Sequence, residues 1–254
     1  MTDISIGIVA YENETDVRNA VASIEAYTPD TISKKLYIID NSIEENNLSS
    51  IETEYSDVSY VRTGKNLGFG GGHNYILPML DSHYHAIVNP DIILRSDVFS
   101  PLLVFMEDER IGMCVPRLCD EEGKLLAVYR RELTVADLFI RMFAKGLFKK
   151  RQAYHTMQDM DYTKPFDVPF AQGSFLVIRT QLFRQIGGFD DHFFLYMEDA
   201  DLCKRVNDVS VLRYCPQAEV IHKWQRGSHK NRKLFFIHLK SMRIYFQKWG
   251  WKFL

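Results

Sequence analysis

Apolar positions in the first 115 residues fall into two alternating patterns. Ile4 to Tyr11 (ISIGIVAY) is a nearly continuous, β-branched run, the pattern of a strand buried on both faces. Glu14 to Tyr27 follows, with Val17, Ala20, Val21 and Ile24 at helical spacing. Buried strands are predicted again over Leu36 to Ile39, Val58 to Val61, Ala86 to Val88 and Ile111 to Val115. Helices are predicted from about Asn74 and over Val98 to Met106. This β-α-β-α alternation predicts a mostly parallel sheet with helices on both faces and right-handed crossovers.

The second half is less regular. Asp120 to Gly123 reads as a turn within a hairpin. Thr134 to Arg151 predicts one amphipathic helix, with an apolar stripe of Val135, Leu138, Phe139, Met142, Phe143 and Leu147. Arg141, Lys145 and Lys149 fall at i,i+4 on another face. Val168 to Ile178 predicts one or two strands around Gly173-Ser174, followed by strands near Val211 to Cys215 and Val220. A last helix runs from about Asn231 to Trp249.

Between these strands lies GGFDDHFFLYMEDADLCKR, Gly187 to Arg205, where carboxylates interleave with Phe189, Phe193, Phe194 and Tyr196. Carboxylates favour water and aromatics favour burial, so this mixture predicts a cleft wall. Glu198, Asp199 and Asp201 are expected to open a helix, where the dipole favours acids, and Asp201 and Arg205 form an i,i+4 pair.

Charge adds one asymmetry. Lys plus Arg number 31 against 33 Asp plus Glu, so no global charge pulls the chain toward nucleic acid. After Glu219, however, there is no acid, while Lys223, Arg226, Lys230, Arg232, Lys233, Lys240, Arg243, Lys248 and Lys252 follow. The scattered cysteines Cys114, Cys119, Cys203 and Cys215 have no zinc-like spacing and predict reduced thiols in a core. Met1 leads straight into a strand and no apolar run is long enough to span a bilayer, which predicts a cytoplasmic protein.

In an open parallel sheet, ligands bind at the carboxyl ends of the strands. Four polar segments follow the predicted strands: Tyr11-Glu12-Asn13, Asp40-Asn41-Ser42, Gly64 to Asn74, and Asn89-Pro90-Asp91. Each also suits a cap or turn. Gly68-Phe69-Gly70-Gly71-Gly72 reads as a turn that feeds a helix and lets a ligand approach the backbone. It is not a dinucleotide fingerprint, because His73 stands at the sixth position, and the chain contains no GxxxxGK[ST] loop. Asp91, on a rigid turn, is a candidate monodentate ligand for Mg²⁺ or Mn²⁺. His222 is a candidate ligand or a half-buried core histidine.

These residues, in this order, resemble family-2 glycosyltransferases of the GT-A fold. The resemblance runs through Tyr11 and Asn13, Asp40-Asn41-Ser42, Asn66 to Gly71, Asn89-Pro90-Asp91, Gly173-Ser174-Phe175, Gly188-Phe189-Asp190 and Tyr196 to Leu202. Within the family, the chain looks most like bacterial rhamnosyltransferases of cell-surface polysaccharide synthesis; His238-Leu239-Lys240-Ser241 supports this narrower likeness. The resemblance implies a catalytic domain over residues 1–225, with a nucleotide-sugar half at 1–115 and an acceptor half at 116–225. A basic C-terminal helix over 226–254 completes the chain.

It also implies roles. Asp199 is the base that activates an acceptor hydroxyl. Tyr11, Asn13, Asp40, Asn66, Gly68, Gly70, Gly71, Asn89 and Asp91 line the nucleotide-sugar pocket. Gly173, Ser174 and Glu198 face the acceptor, and Asp91 with His222 holds Mg²⁺ or Mn²⁺. The expected donor is dTDP-rhamnose and the expected acceptor a lipid-diphosphate-linked saccharide. The basic, aromatic helices are expected to touch the anionic inner face of the membrane. The rivals are a transferase using a UDP-hexose, a catalytically silent binding module, and a nucleotidyltransferase. The last would carry a basic glycine loop after the first strand, where Ala10-Tyr11-Glu12-Asn13 stands.

Overall fold

The computed structural model describes residues 1–144, 146–223 and 232–253. In chain order the elements are β1 (Thr2–Ala10), α1 (Glu14–Tyr27), β2 (Lys34–Asp40), α2 (Ile51–Glu54), β3 (Val58–Arg62), α3 (Gly68–Ile76), β4 (Ser82–Val88), β5 (Ile92–Ile93), α4 (Phe99–Phe105) and β6 (Ile111–Cys119). They continue with β7 (Tyr129–Arg130), α5 (Val135–Phe143), α6 (Lys149–His155), β8 (Phe166–Asp167), β9 (Phe170–Ala171), β10 (Phe175–Arg179), α7 (Thr180–Gln185), α8 (Glu198–Asn207), β11 (Val211–His222) and α9 (Arg232–Trp249).

The central sheet has the order β3-β2-β1-β4-β10-β6-β11-β5, with β8 also on β11. Strands β3, β2, β1 and β4 are mutually parallel, so their carboxyl ends share one edge. The second half is mixed. β10 runs antiparallel to both β4 and β6, while β11 is parallel to β6. Most β1 and β4 positions are buried, as continuous apolar runs require when both faces are covered. All four cysteines are free and buried.

Three sequence expectations are corrected. The glycine run is not a turn feeding a helix; it is the first turn of α3. Glycine disfavours helix, but here close approach outweighs propensity. A Cβ on Gly68 would lie 1.9 Å from the Phe194 carbonyl oxygen, one on Gly70 2.8 Å from the Phe189 Cβ, and one on Gly72 2.8 Å from Val9. The expected single helix over Thr134 to Arg151 is two helices. Gly146 (φ 93°) and Phe148 (φ 56°) turn left-handed between them. The two expected strands near 211–220 are one strand, β11, whose register slips between Cys215 and Glu219. The expected helix start at Asn231, the domain boundary at 225/226, and Lys145, Arg226 and Lys230 lie outside the described residues; α9 is described from Arg232.

The basic tail is fastened to the core through Asp201, which is fully buried. Its carboxylate accepts from Arg205 Nε at 2.7 Å and from Trp249 Nε1 at 2.9 Å, and pairs with Lys248 Nζ at 2.7 Å. The predicted i,i+4 pair therefore forms, and it extends into a buried network joining α8 to α9.

Candidate active site

The parallel edge gathers the four polar segments. Glu12, at φ 53°, takes a hydrogen bond on Oε1 from the Ile43 N–H and donates its own N–H to Ser42 Oγ at 3.0 Å. The turn after β1 is thus tied to the loop after β2. Asn13 accepts from the Tyr11 N–H rather than capping α1, and Tyr11 is exposed. Asp40 is fully buried. Its Oδ1 accepts from the Ser42 N–H, and its Oδ2 from Tyr60 Oη at 2.6 Å and Asn46 Nδ2 at 2.9 Å. Oδ2 is thus doubly bonded, while Oδ1 accepts once and keeps a second lone pair. Asn66 Oδ1 accepts from the Gly68 N–H at the start of α3.

α3 is clamped to the acidic loop. Asn74 donates to the Phe189 carbonyl and accepts from its N–H, both at 2.8 Å. The Asn89 N–H donates to the Ser174 carbonyl at 2.9 Å, which sets the Asn89-Pro90-Asp91 turn beside Gly173. Ser174 is fully buried, so its side chain does not face the cleft.

Asp199 sits one residue into α8 and is partly accessible. Oδ2 accepts from the Gly173 N–H at 3.0 Å and Oδ1 from the Ala200 N–H at 2.8 Å. A Cβ at residue 173 would stand 3.1 Å from the Asp199 Cβ and 3.3 Å from the Phe69 ring, so glycine keeps the carboxylate in place. Tyr196 and Met197 both hold φ 69°, a costly left-handed pair that launches α8 at this angle. Burial raises the Asp199 carboxyl above its usual range, against the pull of the Gly173 and Ala200 N–H groups and of Arg130 and Arg141. Glu198 is buried, and Oε2 has no partner. Burial, then the neighbouring Asp199, pushes its carboxyl up to about 8, so it is protonated at neutral pH.

At the other end of the cleft, Asp91 Oδ1 lies 3.2 Å from His222 Nε2. Antiparallel pairing of His222 with Ile92, and a 3.0 Å bond from the Lys223 N–H to the Asp91 carbonyl, fix this approach. Neighbouring ligands about 2.1 Å from one octahedral ion sit about 3 Å apart, so this oxygen and nitrogen fit two adjacent positions on Mg²⁺ or Mn²⁺. Among the described residues no cluster of three or more His, Cys, Asp or Glu side chains forms. The donor set therefore suits an ion that keeps water or substrate oxygens on its remaining positions.

Sequence reasoning missed two residues. Arg130 and Arg141 both act electrostatically on Asp199. Arg141, expected on a charged outer face of its helix, is half-buried on the side of the site. Spacing gave no signal for Arg141, because it falls off the apolar stripe of its helix.

Comparison with known proteins agrees with this architecture. The model of glycosyl transferase family 2 matches residues 5–187, a stretch that ends before Glu198 and Asp199. Rhamnosyltransferase WbbL of Escherichia coli is 29% identical over 251 residues, spanning 94% of this chain and 90% of that protein. The N-acetylglucosaminyl-diphospho-decaprenol L-rhamnosyltransferase of Mycobacterium tuberculosis is 26% identical over 238 residues, 87% of this chain and 76% of that protein. A crystal structure of GalNAc-T7 with UDP, GalNAc and Mn²⁺ superposes with a TM-score of 0.68 at 16% identity, over 97% of this chain. The chain spans only 48% of that structure, and the likeness speaks for the fold alone. Of a GT-A fold, with rhamnosyltransferases among its relatives, the chain belongs to glycosyl transferase family 2 and is a glycosyltransferase.

Proposed function

We propose that the protein is an inverting rhamnosyltransferase. It would move L-rhamnose from dTDP-β-L-rhamnose to a saccharide carried on a lipid diphosphate. The observation that carries this reading is one contact path through the cleft: Asp91 beside His222, Asn89 bonded to Ser174, and Gly173 bonded to Asp199. A leaving-group end and a base end are thereby held on one rigid track. The names of the E. coli and mycobacterial relatives support the choice of sugar, and the mycobacterial one supports the acceptor.

The mechanism is a single displacement. Asp199 takes the proton of the acceptor hydroxyl as that oxygen attacks the anomeric carbon, and configuration inverts. The Gly173 and Ala200 N–H groups fix the carboxylate so that little reorganisation precedes proton transfer. Glu198, protonated and buried, is not a competing base. Its side chain is buried like that of Ser174, so in this structure the acceptor contact expected of it is not open. Tyr11, Asn13, Asn66, Gly68, Gly70 and Gly71 lie along the donor edge. Asp91 and His222 would hold Mg²⁺ or Mn²⁺, which neutralises charge on the departing nucleoside diphosphate.

The peripheral membrane contact is part of the same reading. Leu147, Phe148, Phe236, Trp251 and Phe253 are all exposed, and Lys149 and Lys150 lie beside them in sequence and are exposed as well. The N–H groups of Val135 and Ala136 bond the carbonyls of Lys252 and Phe253, bringing the chain end against α5. Such a basic, aromatic surface suits an anionic leaflet. Among the described residues no helix is long and apolar enough to cross a membrane.

The test is a donor screen by thermal shift with and without Mn²⁺ or Mg²⁺, followed by transfer assays. A metal-dependent shift with dTDP-rhamnose, and not with UDP-glucose, UDP-galactose or UDP-N-acetylglucosamine, is expected. A shift with a UDP-sugar alone discards rhamnose. Binding without transfer to any lipid-linked acceptor favours a silent binding module.

A further inference from the structure

Two guanidinium groups that act on Asp199 through charge are bonded to none of the groups in the displacement just described. Arg130 ends β7, opposite Phe170 of β9, two residues before Gln172-Gly173 resumes toward the base. It is only 6% exposed. Its guanidinium lies 5.5 Å over the Phe170 ring, Nη1 donates to the Val128 carbonyl at 3.2 Å, and Nε has no partner. Arg141 reaches the same region from α5, with Nη2 3.5 Å from His238 Nε2.

Among the described residues neither arginine is in an ion pair. The nearby carboxylate of Asp137 does not serve them, because Arg151 Nε holds its Oδ1 at 2.7 Å and Thr134 Oγ1 bonds its Oδ2 at 2.6 Å. With Glu198 protonated, Asp199 is the carboxylate that acts on both guanidiniums among the described residues, and burial opposes its ionisation. A buried cation without a counter-charge is costly, and a fold retains it where a ligand supplies the anion. Planar guanidinium groups match phosphate oxygens in shape as well as charge.

Position separates this pair from the donor. Asp91 stands just before β5 and His222 at the end of β11, whereas Arg130 and Arg141 come from β7 and α5 and act on the base Asp199. Just beyond α5 stand Leu147 and Phe148, 61% and 63% exposed, an apolar surface on which a lipid chain can rest. We infer that Arg130 and Arg141 form an anion subsite beside Asp199 that grips the diphosphate of the acceptor while the base faces its sugar. This rests on the glycosyl-transfer reading and names the charged part of that acceptor.

The experiment compares two acceptors with the same N-acetylglucosamine: one linked through diphosphate to a short polyprenol, the other an uncharged octyl glycoside. Arg141→Gln is expected to raise KM for the diphosphate acceptor about 10- to 100-fold, the range for a hydrogen bond to a charged group. KM for the octyl glycoside and the thermal shift given by the donor should stay as in the parent. Arg141→Lys and Arg130→Lys, which keep the charge, should recover part of the loss if the protein remains folded by its melting curve.

Equal losses on both acceptors, with the acid limb of the pH profile moved to higher pH, would overturn the inference. The arginines would then only hold Asp199 ionised. A weakened donor shift would overturn it too, by assigning the pair to the donor. If the unmodified enzyme transfers to neither acceptor, the glycosyl-transfer reading has failed on its own. Calorimetry with inorganic pyrophosphate in chelator then decides the subsite: Arg141-dependent binding keeps it, and no binding removes it.

Discussion

Asp199 and Asp201 are two residues apart on α8 and should fail in opposite ways. Asp201 is fully buried, and its oxygens face three donors: Arg205 Nε on Oδ2, and Trp249 Nε1 with Lys248 Nζ on Oδ1. An asparagine there has one acceptor oxygen and one NH₂. In either flip the NH₂ points at a donor, so at least one of the two sides is lost. The better flip keeps Trp249 and Lys248 and opposes Arg205. Arg205 retains its bonds to the Ile186 and Gly188 carbonyls, and Lys248 retains Asp190 at 2.6 Å, so both cations keep partial compensation.

Breaking one side of a buried ion pair costs about 3–5 kcal/mol, and the retained partners place Asp201→Asn near the lower end, at about 3 kcal/mol. For a chain of this size that lowers the melting temperature by about 6–12 °C. Asp199→Asn relieves the burial of a carboxylate but turns its NH₂ against the N–H of Gly173 or Ala200 and takes the counter-charge from Arg130 and Arg141, so its melting temperature should fall by less than that of Asp201→Asn. In transfer assays well below both melting points, Asp199→Asn should lose about 10²–10⁴ in kcat, while Asp201→Asn stays within about threefold of the parent. Differential scanning fluorimetry and initial rates read both quantities. If Asp201→Asn melts within 1–2 °C of the parent, the network is not what fastens α9, and this reasoning is wrong.

Three further outcomes follow from the same geometry. Gly68→Ala puts a methyl group 1.9 Å from the Phe194 carbonyl at φ 74°, so it should cost more than about 2 kcal/mol in urea unfolding, whereas Gly123→Ala, with open space around it, should cost only its φ strain of about 1 kcal/mol. Glu198 has its carboxyl raised from 4.5 to about 8, so the parent should lose stability as pH rises from about 4.5 to 8, where the unfolded chain ionises first. Glu198→Gln should remove that slope and melt higher than the parent at pH 8 but not at pH 4.5, read by melting curves across the range. His222→Ala, with its partner at 3.2 Å removed, should abolish any Mn²⁺-dependent part of the donor-induced thermal shift while leaving the metal-free part unchanged.

What the sequence made legible was whatever depends on neighbours along the chain. The β-branched runs of β1 and β4 announce burial on both faces, and the polar segments after the parallel strands share the expected edge because parallel order alone puts them there. Gly173 and Asp199 are 26 residues apart, yet both stood out as motifs, and the hydrogen bond between them is what joins them. The misread elements share a different cause. The glycines of α3 were weighed by local propensity, which calls for a turn, but their reason is close packing by distant residues: the Phe194 carbonyl on Gly68, the Phe189 side chain on Gly70 and Val9 on Gly72. Arg141 was assigned by i,i+4 spacing to a charged outer face, yet its environment is set by β7, α9 and the base, none of which its own helix reveals. Local pattern therefore identifies the strand edge and the acidic motif, while the charge balance around the base is decided by packing between distant segments. The inferred acceptor subsite belongs to this second class: Arg130 carries an unpartnered, buried Nε beside Phe170, and both arginines feel the charge of Asp199, relations that no local pattern announces.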